Sequence, residues 1–226
     1  RVSFDLIYAR QDQTLEDWRK ELSEALSMAI DHLSLYQLTI EDGTAFGDRY
    51  ARGKLRGLPA DDTAADMYLV TQDVAAAHGM PGYEISNHAR PGAESLHNLI
   101  YWRYGDYIGI GPGAHGRLTL AGRRYATECH RAPGTWLAAA AKGSGESLRA
   151  TLSREDAAAE YLMMGMRLKE GLDMPRFAAL SGREIDSNRL AHLEELGMVT
   201  MSGTTLAATD QGRAVLNAVL RELLTD

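Results

Sequence analysis

His97 stands four residues before Tyr101 and five before Trp102 in the run Leu96-His97-Asn98-Leu99-Ile100-Tyr101-Trp102. Imidazole is an axial ligand for haem iron, and aromatic rings stack on flat conjugated ligands. Around this run, residues 88–131 hold six arginines against three acids, and four of the seven histidines, His88, His97, His115 and His130. Guanidinium groups suit propionates through bidentate pairing. Histidine, aromatic rings and local positive charge are together compatible with a porphyrin. The bland alternative is a histidine that only satisfies a structural hydrogen bond.

Other candidates carry less. Asp5 is an acid within the apolar run Val2 to Tyr8. Buried, it needs a hydrogen-bonding partner or a ligand. Gly109 to Gly116 lacks the Walker Lys-Ser/Thr and the G-x-G-x-x-G spacing, so a tight turn bringing backbone close to a ligand or another strand is its expected use. Cys129-His130 ends like a c-type haem attachment site, but the position three before the cysteine is Ala126. One cysteine in 226 residues excludes an internal disulfide and a cluster held by several thiolates of this chain.

The elements that must position these residues are partly written in the pattern. Val2 to Tyr8, apolar on both faces apart from Ser3 and Asp5, predicts a buried parallel strand. Thr14 with Asp17 predicts a capped helix, 32–40 alternates as a strand, 61–77 reads as a helix closed by Gly79, and 83–86 as a short strand. Strand, helix, strand, helix, strand is the grammar of a parallel βα array, here half a barrel. The expectation is an α/β chain whose upstream strands are missing. Pro133-Gly134 opens a short Ala-rich helix around Trp136. Ser153 with Asp156 opens a mainly helical, winged-helix-like region, with a hairpin across Ser202-Gly203-Thr204 and a last helix capped by Thr209. The predicted domains are therefore 1–87, a connecting segment 88–150, and 151–226.

Charge narrows the partners. Lys plus Arg number 24 against 31 Asp plus Glu, a formal net charge of −7. The winged-helix-like region carries 8 basic against 12 acidic side chains, so nucleic-acid binding is not expected. No apolar run is long enough to span a bilayer and no signal peptide is visible, which predicts a cytoplasmic protein.

Several strings then resemble one family. They are Asp5-Leu6-Ile7-Tyr8, Leu33-Ser34-Leu35-Tyr36-Gln37-Leu38-Thr39-Ile40-Glu41, Tyr83-Glu84-Ile85-Ser86-Asn87, His97-Asn98-x-x-Tyr101-Trp102, and Tyr104 to Gly116. Together they resemble the HemW branch of the radical S-adenosylmethionine proteins, related to oxygen-independent coproporphyrinogen III oxidase, in its C-terminal portion. The resemblance implies the second half of a radical S-adenosylmethionine barrel followed by the helical domain. It implies S-adenosylmethionine at Asp5, Ile7 and Thr39, and haem at His97, Asn98, Tyr101 and Trp102, with His97 on the iron. It also implies a [4Fe-4S] cluster on a C-x-x-x-C-x-x-C motif that would lie upstream, since this chain has none. The family's Gly-Leu-Pro-Gly is here Ala9-Arg10-Gln11-Asp12. The implied function is a haem chaperone serving haem-accepting respiratory proteins, with peripheral contact to membrane proteins. The alternatives are a coproporphyrinogen oxidase, and a non-catalytic interaction module in which these residues only pack.

Overall fold

In a computed structural model the described residues are 2–224. They form two compact units, Arg1–Ser95 and Leu96–Asp226.

The first unit begins with β1 (Ser3–Tyr8), α1 (Leu15–Met28) and β2 (His32–Gln37), and continues through α2 (Ala45–Ala51), α3 (Asp61–Ala77) and β3 (Asn87–Ala89). The capping box forms as expected: the Thr14 hydroxyl accepts from the Asp17 amide, and the Asp17 carboxylate accepts from the Thr14 amide. The helical spacing of Trp18, Leu22, Ala25 and Leu26 buries one stripe of α1. Each large side chain in that stripe contributes about 1.5–3 kcal/mol of burial. Trp18 stacks on Tyr8 with ring centroids 5.1 Å apart, and its indole N–H donates to the Thr71 hydroxyl of α3 at 2.8 Å. One side of the sheet is thereby packed under α1 and α3, with Leu33, Leu35 and Met67 in the same core.

β1 and β2 pair in parallel, as the βα pattern predicts. The third strand departs from expectation. It lies at Asn87–Ala89 and runs antiparallel to β2. Residues 83–86 are a turn because Glu84, fully buried, takes donors from its own neighbourhood: the Ser86 amide at 2.6 Å and the Asn87 side-chain amide at 2.7 Å. The Tyr83 amide reaches the Asn87 carbonyl at 3.1 Å, which reverses the chain before it meets β2. β2 also stops at Gln37, short of the predicted residue 40.

The second unit opens with α4 (Leu96–Trp102), then β4 (His115–Leu120), β5 (Arg123–Cys129), α5 (Pro133–Ala140) and β6 (Glu146–Thr151). The three strands make an antiparallel sheet in the order β4-β5-β6, where the sequence suggested only a connecting segment. The helical region follows as α6 (Arg154–Gly165), β7 (Leu172–Asp173), α7 (Met174–Ser181), α8 (Ser187–Glu195), β8 (Val199–Ser202), β9 (Thr205–Ala208), α9 (Asp210–Ala214) and α10 (Leu216–Leu224). Ser153 and Thr209 cap α6 and α9 as predicted, and β8 and β9 form the predicted hairpin. The last helix is split at Val215. No helix among the described residues is long and apolar enough to cross a membrane.

Candidate functional site

Pleat geometry decides what β1 offers. Phe4, Leu6 and Tyr8 turn to the helices, so Ser3, Asp5 and Ile7 share the opposite, open face. Asp5 is therefore exposed, which corrects the expectation of a buried carboxylate, although its register partner Ser34 on the same face is buried. Ile7 is 46% exposed on it. Parallel register sets Asp5 beside Ser34 and Ile7 beside Tyr36. Thr39 lies two residues past the end of β2 and is exposed. The three residues expected at a cofactor thus sit on the open face, or beyond the C-terminal end, of one parallel pair. The altered loop after β1 holds Ala9 and Asp12 at φ 58°, and Arg10 pairs with Glu21 at 2.6 Å while donating to the Ile7 carbonyl.

In the second unit, one turn of helix brings His97 and Tyr101 together. Their rings meet edge to face at 4.7 Å and 82°. Tyr101 meets Tyr107 in turn at 4.2 Å and 61°. The result is a three-ring ladder with an exposed imidazole at its end. No hydrogen bond engages that imidazole among the described residues. Burial pushes the Tyr107 hydroxyl pKa up, against the opposing pull of Arg117, so the phenol stays protonated at neutral pH.

Trp102 follows a different face, as a residue one step further round the helix must. The Arg167 guanidinium lies 4.4 Å above its ring. The indole lines a cleft of about 330 Å³ together with Tyr161, Gly165, Leu168 and Arg176, and its N–H is buried with no hydrogen-bond partner among the described residues. Asn98 is half-buried. The structure thus gathers two of the four motif residues into the ladder, adds Tyr107, and directs the indole to the helical module.

Glycine explains how Tyr107 reaches Tyr101. The backbone of Tyr107 bridges Arg117 of β4 through two hydrogen bonds of 2.8 and 2.9 Å. A Cβ on Gly109 would sit 2.5 Å from the His115 carbonyl oxygen, and one on Gly116 would lie 2.9 Å from the Gly109 nitrogen. The glycine-rich run is a close crossing against another strand, one of the two uses its glycines suggested. Ile108 and Ile110 project from it, 70% and 81% exposed.

The arginine excess is mostly spent internally. Arg103 binds Glu170, Arg117 binds Glu160 and Arg124 binds Asp106, each at 2.7 Å. Arg90 donates to the Ile30 carbonyl. Arg123 and Arg131 remain exposed. Sequence reasoning counted the positive charges correctly but could not see their partners, 43 and 67 residues away in two cases. His115 lies 3.8 Å from Glu128, and Cys129 is buried. No group of three His, Cys, Asp or Glu among the described residues could hold a metal ion.

Comparison with known proteins follows these features along the chain. Residues 152–215 match the HemN C-terminal domain. The radical S-adenosyl methionine domain-containing protein 1, mitochondrial, of Danio rerio is 34% identical over 237 residues, covering 100% of this chain and 53% of that protein. The heme chaperone HemW of Lactococcus lactis is 33% identical over 228 residues, covering 100% of this chain and 59% of the relative. HemW of Escherichia coli is 34% identical over 227 residues, covering 99% and 58%. The solved structure of coproporphyrinogen III oxidase (HemN) from Escherichia coli, a radical SAM enzyme, superposes with a TM-score of 0.73 at 18% identity, covering 99% of this chain and 54% of that one. That likeness establishes the fold. The chain spans about half the length of the curated relatives it matches.

Proposed function

We propose that this chain, which is HemW-like in sequence and carries a HemN C-terminal domain, binds haem on the His97–Tyr101–Tyr107 face as part of a longer radical S-adenosylmethionine protein. The observation that carries the reading is the His97 imidazole, exposed, free of hydrogen bonds among the described residues, and fixed edge-on by Tyr101. A ring nitrogen held in one orientation suits axial coordination of iron. The exposed Ile108 and Ile110 supply apolar surface near Tyr107 in sequence, and Arg123 and Arg131 are the cations left for carboxylates. Asn98 belongs to the same proposed site, while Trp102 packs behind it under Arg167 and supports the helix without contacting the ligand.

The open face bearing Asp5 and Ile7, with Thr39 beyond the strand end, is the proposed S-adenosylmethionine surface. Asp5 supplies a hydrogen-bond acceptor there and Ile7 an apolar contact. A [4Fe-4S] cluster needs thiolates that the single Cys129 cannot provide, so its ligands fall to the portion of the longer protein that this chain does not span. Bound to a reduced cluster, S-adenosylmethionine supplies one-electron radical chemistry. In this reading the protein works in the cytoplasm and passes haem to respiratory proteins, touching membrane proteins peripherally.

Haem titration of native and His97→Ala protein tests the reading. Loss of the axial ligand lowers affinity and alters the absorbance bands, while the remaining rings retain weak binding. A folded His97→Ala protein with native affinity and spectrum removes His97 from the site. The HemN domain match supports one other reading, a coproporphyrinogen oxidase that decarboxylates propionates. Product formation by the reduced full-length protein decides between the two.

A further inference from the structure

α4 ends in an unusual joint. The Gly105 amide returns to the Ile100 carbonyl at 2.7 Å and the Tyr104 amide to the Tyr101 carbonyl at 2.9 Å. These two bonds are those of a Schellman termination, whose left-handed position normally belongs to glycine. Here Tyr104 occupies it, at φ 55°. A bulky side chain in that region carries backbone strain and persists only where its surroundings over-determine it.

The surroundings do so from two sides. The Tyr104 hydroxyl donates to Glu160 of α6 at 2.9 Å. The Arg124 guanidinium of β5 lies 3.7 Å above its ring and donates to the Gly105 carbonyl at 2.9 Å. Arg176 of α7 donates to the Arg103 carbonyl at 3.0 Å and the Tyr104 carbonyl at 3.2 Å, placing a cation at the negative end of α4. Arg176 is itself held over the Tyr161 ring at 4.6 Å. Only Gly105 and Asp106 separate Tyr104 from Tyr107, so the angle of this joint fixes how the Tyr107 ring meets Tyr101 and, through it, His97.

We infer that Tyr104 is the positioning residue of the His97–Tyr101–Tyr107 ladder, and that Arg176 and Glu160 of the helical module are the clamp that keeps it left-handed. The helical module then has a function that its acidic charge does not suggest: it sets the geometry of a ligand face on a neighbouring helix. Arg176 makes its contacts with the Tyr161 ring and the Arg103 and Tyr104 carbonyls, whereas the Glu160 carboxylate also acts through its charge on the Tyr107 hydroxyl. The inference rests on the haem reading only for what the ladder binds.

The test compares native, Arg176→Gln, His97→Ala and the double variant by haem titration. It also follows the His97 ring resonances in haem-free protein by NMR, with thermal unfolding as a control. Arg176→Gln should weaken haem binding about five- to tenfold, move the His97 ring resonances and keep a cooperative transition. In the His97→Ala background the same change should cost less than about twofold, because the effect passes through the ladder. Unmoved ring resonances in Arg176→Gln overturn the inference, and so does an equal loss of affinity in both backgrounds. If native protein takes up no haem, the haem reading falls while the ring resonances still decide the positioning role. Should Arg176→Gln fail to fold, Tyr104→Phe removes only the hydroxyl bond to Glu160 and is judged by the same ring resonances.

Discussion

Arg117 of β4 and Glu160 of α6 form a two-pronged ion pair, Nη2 to Oε1 at 2.7 Å and Nε to Oε2 at 3.0 Å, with side chains only 21% and 17% exposed. The pair joins the antiparallel sheet to the helical module, and the same carboxylate accepts the Tyr104 hydroxyl. Removing Glu160 leaves a guanidinium and a phenol unpaired in a partly enclosed place. A fully buried pair broken on one side costs about 3–5 kcal/mol; the residual exposure reduces this to about 2–3 kcal/mol for Glu160→Ala. Urea unfolding measures it. The double variant Arg117→Ala/Glu160→Ala should lose less than the sum of its parts, since no charge is left stranded. A single-variant loss below about 0.5 kcal/mol contradicts the assignment.

The β4–β5 hairpin turns on Ala121-Gly122, with φ of 48° and 76°, between the paired residues Leu120 and Arg123. A two-residue turn with both φ positive is the type that Asn-Gly fills best. Alanine there carries strain of about 1 kcal/mol that asparagine largely avoids. Ala121→Asn should raise stability by about 0.5–1 kcal/mol, and Ala121→Val should lower it. An unchanged urea midpoint in both would show that the turn does not hold this conformation.

The same hairpin shows where sequence reading succeeds and fails. Local chemistry was legible: Thr14 with Asp17, Ser153 with Asp156, and Thr209 all cap the helices they were expected to cap. So was the glycine crossing at Gly109 and Gly116, because its cause lies in the residues themselves. The Ala121-Gly122 turn signal was present, but short strands rich in arginine and threonine hide their period. Long-range pairing left no trace. Nothing near Arg103 or Arg117 announces Glu170 or Glu160. The burial of Asp5 depended on what covers a sheet face, and the antiparallel direction of β3 on a carboxylate, Glu84, that makes its own turn.

Arg103 clasps Glu170 through two hydrogen bonds of 2.7 and 2.8 Å, and this pairing holds the Glu170 carboxyl below its ordinary value of 4.5. A depressed carboxyl pKa adds stability that is present above the unfolded value and lost as pH falls through the folded one. Both side chains are about half exposed, 52% and 50%, so screening limits the contribution to about 0.5 kcal/mol. Native protein should therefore exceed Glu170→Gln in stability at pH 7, with the gap closing as pH falls below 4.5. Added salt at pH 7 should narrow the same gap. A gap that widens on acidification reverses the sign and rejects the pairing as its cause.

Trp102 and Tyr101 are neighbours in sequence that face different surroundings, and their variants should separate accordingly. The indole lies under Arg167 and beside Tyr161 and Leu168, so Trp102→Ala opens space inside the second unit. The expected cost is about 3 kcal/mol, the lower end for deleting a large aromatic side chain, because the cleft is already open on one side. Haem bands and affinity in the folded protein should stay close to native, within about twofold, since His97 and Tyr101 keep their contact. Tyr101→Ala is expected to do the reverse. Its ring is half-buried and touches His97 and Tyr107, so stability should fall by about 1 kcal/mol. Haem affinity should fall more steeply and the bands should move. Both proteins are to be compared well below their unfolding midpoints, where lost structure does not mimic lost binding. A Trp102→Ala protein of native stability with shifted haem bands would place the indole against the ligand instead of behind the helix.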